Sequence, residues 1–537
     1  MSRLYWLAAL IVIAGALATA SRLPLFDPDE GYYPATAAES LDRGPWWDLR
    51  FNGDARWEKP ILAYALIEGA FVLFGRSPAV ARLPSAIEGA ALAVLCGLIL
   101  SRLVSRQAGA LTSLVLATTL GVQIFARAAH PEIAVVLSIA ITEMLLIMWL
   151  VIPRSQRSRW WPVWAGVSLA YGLLAKGPVA VVVPLLGTLI AAPFVIDLRA
   201  RWREAAGDAA IAGGIALALA APWYIAMTLA HGVEFLRIAI WAQNIGRYAG
   251  QMADHGQSAG VFALAAAAGL LPWVGLLPAA VARVRNPRGS TREAVRFVLV
   301  VMAASSLAFY SASASKLASY SLALIPPLAA LIALYLDDVL IDVRRGGAPA
   351  FRWAGAVLGV VATSMAILPL LHGTAFRMRD LTGGVPGAPN SAAIGWLVAS
   401  LAIIFAAGAI AAFVLSARAR IAALALTGMA APLAALLVMA PILGDAYPWQ
   451  RFGARITREP DRVWLQMYRA PSLTFFSGQT VTIVTEDELR DLLTGAGSGW
   501  VVLGADWAEQ PALAARLAGG TAAVVDRSPR LILVKLH

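Results

Sequence analysis

The sequence predicts a polytopic α-helical membrane protein that ends in a small α/β domain. Three observations point there. Apolar residues make up 59% of the chain and charged residues only 14%, against about 25% charged in a soluble protein. Apolar stretches of span length recur along residues 1–440. Beyond residue 440 the pattern changes to short strand-like and helix-like segments.

Thirteen stretches read as spans: 4–20, 78–101, 108–126, 131–152, 160–175, 178–196, 208–229, 258–281, 297–312, 319–336, 353–371, 391–416 and 421–440. Ala18-Thr19-Ala20 has the small-x-small form of a signal cleavage site. With so many spans following, an uncleaved first helix is the expected arrangement. The segment 61–75, "ILAYALIEGAFVLFG", is too short to span and carries Glu68, so a helix lying at the interface is expected. It closes an outer loop region covering residues 21–77.

Arginine sets the orientation. If the N-terminus is cytoplasmic, alternate short loops hold 19 arginines and no lysine. The net charge of +11 is then a topology signal, and nucleic-acid binding is not needed to explain it. The four lysines are Lys59, Lys176, Lys316 and Lys535. The first three fall at the opposite, periplasmic face, as snorkelling side chains or as a cationic site for an anionic headgroup. The single cysteine, Cys96, rules out an intrachain disulfide.

In the region 441–537, "RVWLQMYRA", "TVTIV", "WVVLGA", "TAAVVD" and "RLILVKL" read as strands. "EDELRDLLTG" and "EQPALAARLAGG" read as helices that stop at glycine. An odd number of spans after a cytoplasmic start puts this domain in the periplasm of a bacterial inner-membrane protein, with residues 1–440 as the transmembrane domain.

Polar residues collect on that same face. They are Asp27, Asp29, Glu30, Arg56, Glu58 and Lys59; then Arg127, His130 and Glu132; then Lys176; then Asn244, Arg247, Tyr248 and His255; then Ser315, Lys316 and Tyr320. Carboxylates beside cations at a membrane surface suit transfer of a sugar from a lipid phosphate. The leaving group is anionic, so Lys and Arg stabilise the charge growing on it. An Asp takes the proton of the acceptor hydroxyl, and attack at the anomeric carbon inverts it. No Walker A loop or dinucleotide-binding glycine fingerprint is present.

The segments that carry this pattern also resemble a known family. They are Asp29-Glu30, Gly44-Pro45-Trp46, Glu58-Lys59-Pro60, residues 61–75 and Arg82-Leu83-Pro84-Ser85. "GLLAKGPVA" (172–180), "NIGRY" (244–248), "LPW" (271–273), "SASKLASYSLALIPPLA" (313–329) and the tail from 468 to 493 continue it in order. Together they resemble the GT-C membrane glycosyltransferases of the protein O-mannosyltransferase superfamily, in the 4-amino-4-deoxy-L-arabinose lipid A transferase branch. The resemblance implies a GT-C fold, a polyprenyl-phosphate sugar donor, and a lipid or glycolipid acceptor such as lipid A. It implies Asp29 as the catalytic carboxylate, with Glu30 orienting it or neighbouring cations. It places Lys59, Arg82, Arg247 and Lys316 near the donor phosphate. Arg56, Glu58, Arg127, Lys176, Asn244, Tyr248, His255 and Tyr320 are further pocket candidates.

One position departs from the family pattern. Glu132 stands where relatives often have Asp, which shifts the carboxylate by about 1.5 Å, and it is kept as a third catalytic candidate. Some relatives hold a metal between the Glu of Glu-Lys-Pro and an outer-loop His, here Glu58 and His255. Two ligands fall short of the usual zinc set, so no cofactor is required and no metal is predicted.

Two other classes fit parts of the sequence. Glu88 and Glu143, near the middle of their spans, suit a transporter or flippase of lipid-linked saccharides. A polysaccharide polymerase or ligase also works on lipid-linked sugars, but usually through large outer loops rich in Arg and His.

Overall fold

The computed structural model describes residues 2–250, 258–341, 348–372, 391–466, 469–495 and 497–537. All thirteen apolar stretches are helical where described. Among the described residues nine helices are long and apolar enough to cross a membrane, or ten if the bent pair Ala259–Gly269 and Val274–Val281 is one span. The other three stretches form shorter or divided helices. One is divided into α5 (Arg106–Thr118) and α6 (Leu120–Phe125). The other two are α8 (Trp161–Lys176) and α9 (Val179–Val195), of 16 and 17 residues. Gly177, at φ 82°, makes the sharp turn between them, a conformation glycine adopts without steric cost.

The core is built around α7 (Glu132–Val151), which packs on α4 (Pro78–Leu103), α8 and α9. Helix α4 starts cleanly because the Ser77 side chain accepts from the Val80 amide at 3.2 Å and Pro78 takes the first turn. Helices α4 and α5 approach closely at Gly97 and Gly109. A β-carbon on either glycine would lie within 3 Å of the other's carbonyl oxygen, the small-residue contact expected between helices in lipid.

Two broken helices meet inside the bundle. The pair Ala259–Gly269 and Val274–Val281 bends by 103°. The Leu120 amide donates to the Leu271 carbonyl at 2.9 Å, and the Trp273 indole donates to Thr118 Oγ1 at 3.0 Å. Each break thus supplies partners for the other, as a low-dielectric interior requires.

On the site side, α1 (Ser2–Ala20) leads through a loop into α2 (Asp29–Arg43). A two-stranded hairpin follows, β1 (Arg50–Phe51) and β2 (Asp54–Ala55), turning at Asn52-Gly53 with φ 54° and 85°, the dipeptide this turn prefers. Both turn amides donate to the Glu39 carboxylate at 2.7 Å. The expected short helix is α3 (Leu62–Phe74), packed on α2 and α4.

All five expected C-terminal strands form: β3 (Val463–Gln466), β4 (Val481–Val484), β5 (Gly499–Gly504), β6 (Ala522–Arg527) and β7 (Leu531–Leu536). Their order is β4-β3-β5-β7-β6, parallel across β4-β3-β5 and antiparallel across β5-β7-β6. The two expected helices form as Glu486–Thr494 and Pro511–Ala518, preceded by two further helices, Trp449–Arg458 and Pro471–Ser477. Helix Pro471–Ser477 packs on α2, which brings the domain to the site.

Candidate active site

The start of α2 is fixed by a buried ion pair. Glu30 is 3% exposed and Arg82 1%. Arg82 donates to both Glu30 oxygens, at 2.7 and 2.8 Å. The same carboxylate accepts from the Ala129 and Phe26 amides at 2.9 Å. Burial opposes ionisation of Glu30, but the Arg82 charge and the hydrogen bonds from Arg82, Ala129 and Phe26 together outweigh it and hold the carboxyl below its ordinary range. The remaining Arg82 donors reach the carbonyls of Ala20, Leu23 and Pro24 at 2.7–2.9 Å. A guanidinium has five N–H donors, and all five are used.

Glu30 thus holds a neighbouring cation, one of the two roles expected of it, and has no oxygen free for proton transfer. Arg82 has no donor left for a phosphate, which corrects that expectation. Arg127 is corrected by its position rather than by saturation of its donors. It is buried and bonded to the Gly15 carbonyl at 3.1 Å and to the Gln123 carbonyl, stapling α1 to α6 away from the cavity described below.

Asp29, the first residue of α2, is exposed and has no hydrogen-bond partner among the described residues. One turn later on the same face, the Tyr33 ring meets His130 edge-on at 5.2 Å and Tyr64 at 5.1 Å. His130 is held mainly by burial below its ordinary pKa, within reach of the charges of Glu132, Lys176, Asp29 and Lys59. Its Nδ1 is shielded and makes no hydrogen bond, with the Glu132 carboxylate 4.0 Å away. Asp29 thus shares the electrostatic neighbourhood of His130 with two of the lysines, but does not line the cavity they border.

Those lysines border a cavity of about 310 Å³. Its walls come from Glu58-Lys59-Pro60, the α8–α9 turn, the segment 239–249 and the stretch 309–320. Glu58, Lys59, Lys176, Asn244, Arg247, Tyr248 and Tyr320 all line it. Among the described residues Lys59 Nζ donates only to the Glu58 carbonyl, at 3.2 Å. Burial, then repulsion from Lys176 and Arg247, pushes its pKa down to about 7. Arg247 Nε is shielded and unpaired. Lys176 differs, since its ammonium pairs with Glu132 at 2.5 Å and sits 4.3 Å from the Tyr320 ring centre.

Glu132 also accepts from Ser319 at 3.2 Å and is 3% exposed. It sits behind Lys176 and does not line the cavity, so the structure gives it the geometry of a group that holds a cation. Arg56 lies over the Tyr32 ring at 3.8 Å and reaches Glu58 at 3.6 Å, beside the cavity. Lys316 does not line the cavity and has no partner among the described residues. His255 lies outside the described residues, so only Glu58 of the suggested metal pair is placed.

Sequence reasoning misses Gln243 and Tyr310, which also line the cavity. Gln243 belongs to the π-helical stretch Arg237–Gly246, a pitch common at functional sites and invisible in hydropathy. Its Oε1 is shielded and unpaired, as are Glu58 Oε2 and Ser315 Oγ. Orphaned polar atoms cost about 1–3 kcal/mol each, and here they cluster around one cavity.

Comparison with known proteins bears on this geometry. A family model described as dolichyl-phosphate-mannose-protein mannosyltransferase matches residues 58–226. The crystal structure of ArnT from Cupriavidus metallidurans bound to undecaprenyl phosphate superposes with a TM-score of 0.80 at 18% identity, covering 98% of this chain and 97% of that one. Its apo form gives 0.78. The chain has the GT-C fold and resembles the aminoarabinose transferase branch of the protein O-mannosyltransferase superfamily. The undecaprenyl phosphate-α-4-amino-4-deoxy-L-arabinose arabinosyl transferase of Pseudomonas aeruginosa is 29% identical over 378 residues, 69% of this GT-C chain. A Sodalis glossinidius relative of the same description is 29% identical over 359 residues, 64% of this chain. These matches span just under two thirds of the relatives' length, 66% and 62%.

Proposed function

We propose that this protein is a glycosyltransferase that moves a sugar from a polyprenyl-phosphate donor to a lipid acceptor at the periplasmic face of the inner membrane. The observation that carries the reading is the cavity's cations. Lys59, Lys176 and Arg247 converge on one space, and among the described residues only Lys176 has a carboxylate partner. A lipid phosphate supplies the missing anion.

In the proposed reaction Asp29 takes the proton of the acceptor hydroxyl. The hydroxyl oxygen bonds to the anomeric carbon as the bond from that carbon to the phosphate oxygen breaks. The electron pair leaves with the polyprenyl phosphate, whose growing charge Lys59 and Arg247 neutralise in a space shielded from water. Attack opposite the leaving group inverts the anomeric centre. No cofactor enters this scheme.

The relatives' descriptions suggest undecaprenyl phosphate-4-amino-4-deoxy-L-arabinose as donor, and we take lipid A or another envelope glycolipid as acceptor. The shielded oxygens of Glu58 and Gln243 suit an amine- and hydroxyl-bearing sugar. Orientation is supported by the opposite end of the bundle. There Arg292 pairs with Asp337 and Asp338 at 2.5 and 2.7 Å, Arg283 with Asp338 at 3.0 Å and Arg201 with Glu204 at 3.2 Å. This arginine-rich end fits the cytoplasmic side.

A transporter reading has less support, because the two helix breaks satisfy each other and neither lines this cavity.

The test is transfer by protein in nanodiscs, with the aminoarabinose donor and lipid A, read by mass spectrometry of the acceptor. Asp29→Asn is expected to abolish transfer while retaining donor binding. Normal turnover in that variant overturns the assignment of the base.

A further inference from the structure

We infer that Ser472 of the C-terminal domain is a positioning residue for Asp29, acting through Asp27. The inference rests on the reading of Asp29 as the base.

Asp29 makes no bond of its own among the described residues, so its placement depends on its neighbours. One neighbour, Glu30, is tied into the membrane bundle through Arg82 and the Ala129 amide. The other, two residues upstream, is tied to the C-terminal domain. Asp27 Oδ1 accepts from the Ser472 amide at 3.0 Å and from its hydroxyl at 2.7 Å. Ser472 belongs to the short helix Pro471–Ser477, which packs along α2.

Gly31 shows how close this contact is. A β-carbon there would collide with Asp27 Oδ1 and would lie 2.7 Å from Ser472 Oγ and 2.9 Å from its amide nitrogen. The base is thus held between two clamps, one from each domain. On this view the C-terminal domain completes the active site without contributing an atom to the chemistry.

A second contact joins the same two regions and serves as the control. Asn52 Nδ2 donates to the Val481 carbonyl at 3.0 Å, and its Oδ1 accepts from the Val481 amide at 3.3 Å. This contact lies at the hairpin tip, remote in sequence from Asp29.

The experiment compares Ser472→Ala, Ser472→Thr, Gly31→Ala and Asn52→Ala in the full-length protein in nanodiscs. Turnover and donor KM are measured separately, with melting temperature recorded. Misplacing a catalytic group by a fraction of an ångström is expected to lower kcat about ten-fold in Ser472→Ala, with donor KM changed less than about two-fold. Thr keeps the hydroxyl and should restore kcat. Gly31→Ala should lose at least as much as Ser472→Ala, although alanine favours the helix itself. Asn52→Ala should keep wild-type kcat. Wild-type kcat in both Ser472→Ala and Gly31→Ala overturns the inference. So does an equal loss in Asn52→Ala, which would show docking alone. Should Ser472→Ala melt early, the Gly31→Ala and Ser472→Thr pair decides. If Asp29→Asn retains turnover, the base reading fails instead, whatever the Ser472 variants do.

Discussion

Arg82 and Arg247 are both cations on the site side of this protein, and their surroundings are opposite. Arg82 is buried with every donor occupied by Glu30 and three carbonyls. Arg247 lines a cavity with its Nε shielded and unpaired. The contrast separates two jobs that one residue type can do. A guanidinium whose donors are saturated holds the chain together, whereas one left unsaturated at a cavity is waiting for an anion. Lys176 lies between them, lining the cavity but already neutralised by Glu132.

The largest expected effect comes from breaking the saturated side. Arg82→Ala leaves the Glu30 carboxylate buried and uncompensated, at a cost of about 3–5 kcal/mol. Thermal unfolding in nanodiscs should show a lowered melting temperature and loss of all function together. A folded, donor-binding Arg82→Ala protein would erase the distinction drawn here.

Glu132→Gln tests the intermediate case. It removes a charge-assisted bond worth about 1.5–3 kcal/mol and frees Lys176, which joins Lys59 and Arg247 as an uncompensated cation. Stability should fall while affinity for undecaprenyl phosphate holds or rises. Loss of donor affinity with unchanged melting temperature would instead give Glu132 a direct role with the donor.

Lys59 sharpens the unsaturated side through pH. Its pKa is pushed down to about 7 by burial and by repulsion from Lys176 and Arg247, and a bound phosphate favours the protonated form. Below pH 7 the lysine is charged and donor binding is at its tightest. Above pH 7 each pH unit should weaken binding about ten-fold, until the bound-state pKa is reached. Titrations between pH 6 and 9 check this, and Lys59→Arg should flatten the profile. A flat wild-type profile would contradict the cavity's cationic design.

The smallest expected effect is at Gln243. Replacement by Leu removes an orphaned buried oxygen, so the empty protein should be no less stable. Affinity for the sugar-bearing donor should drop about three- to ten-fold relative to bare undecaprenyl phosphate. Equal changes for both ligands would remove the sugar contact.

Much of the fold was legible in the sequence, because lipid forces long apolar helices and a half-buried sheet forces alternation. The C-terminal strands appear where "TVTIV" and "RLILVKL" place them. Helices α8 and α9 form within about a residue of their expected bounds, with Lys176-Gly177-Pro178 as the short turn between them. At the site, Lys59, Lys176, Asn244, Arg247, Tyr248 and Tyr320 reach one cavity from distant segments. Arg82 and Arg127 do not, and nothing in their sequence context could show it. A residue's type tells what it offers, but only the tertiary packing tells where its donors are spent. Gln243 was missed for a related reason, since the π-helical pitch that turns it inward has no hydropathy signal.

The most direct test of the central claim is the affinity of Arg247→Gln for undecaprenyl phosphate, measured beside its melting temperature. An unsaturated cavity cation predicts donor binding at least ten-fold weaker, about 1.4 kcal/mol, with the melting temperature unchanged. Unchanged affinity, or a collapse in stability like that expected for Arg82→Ala, would contradict the account.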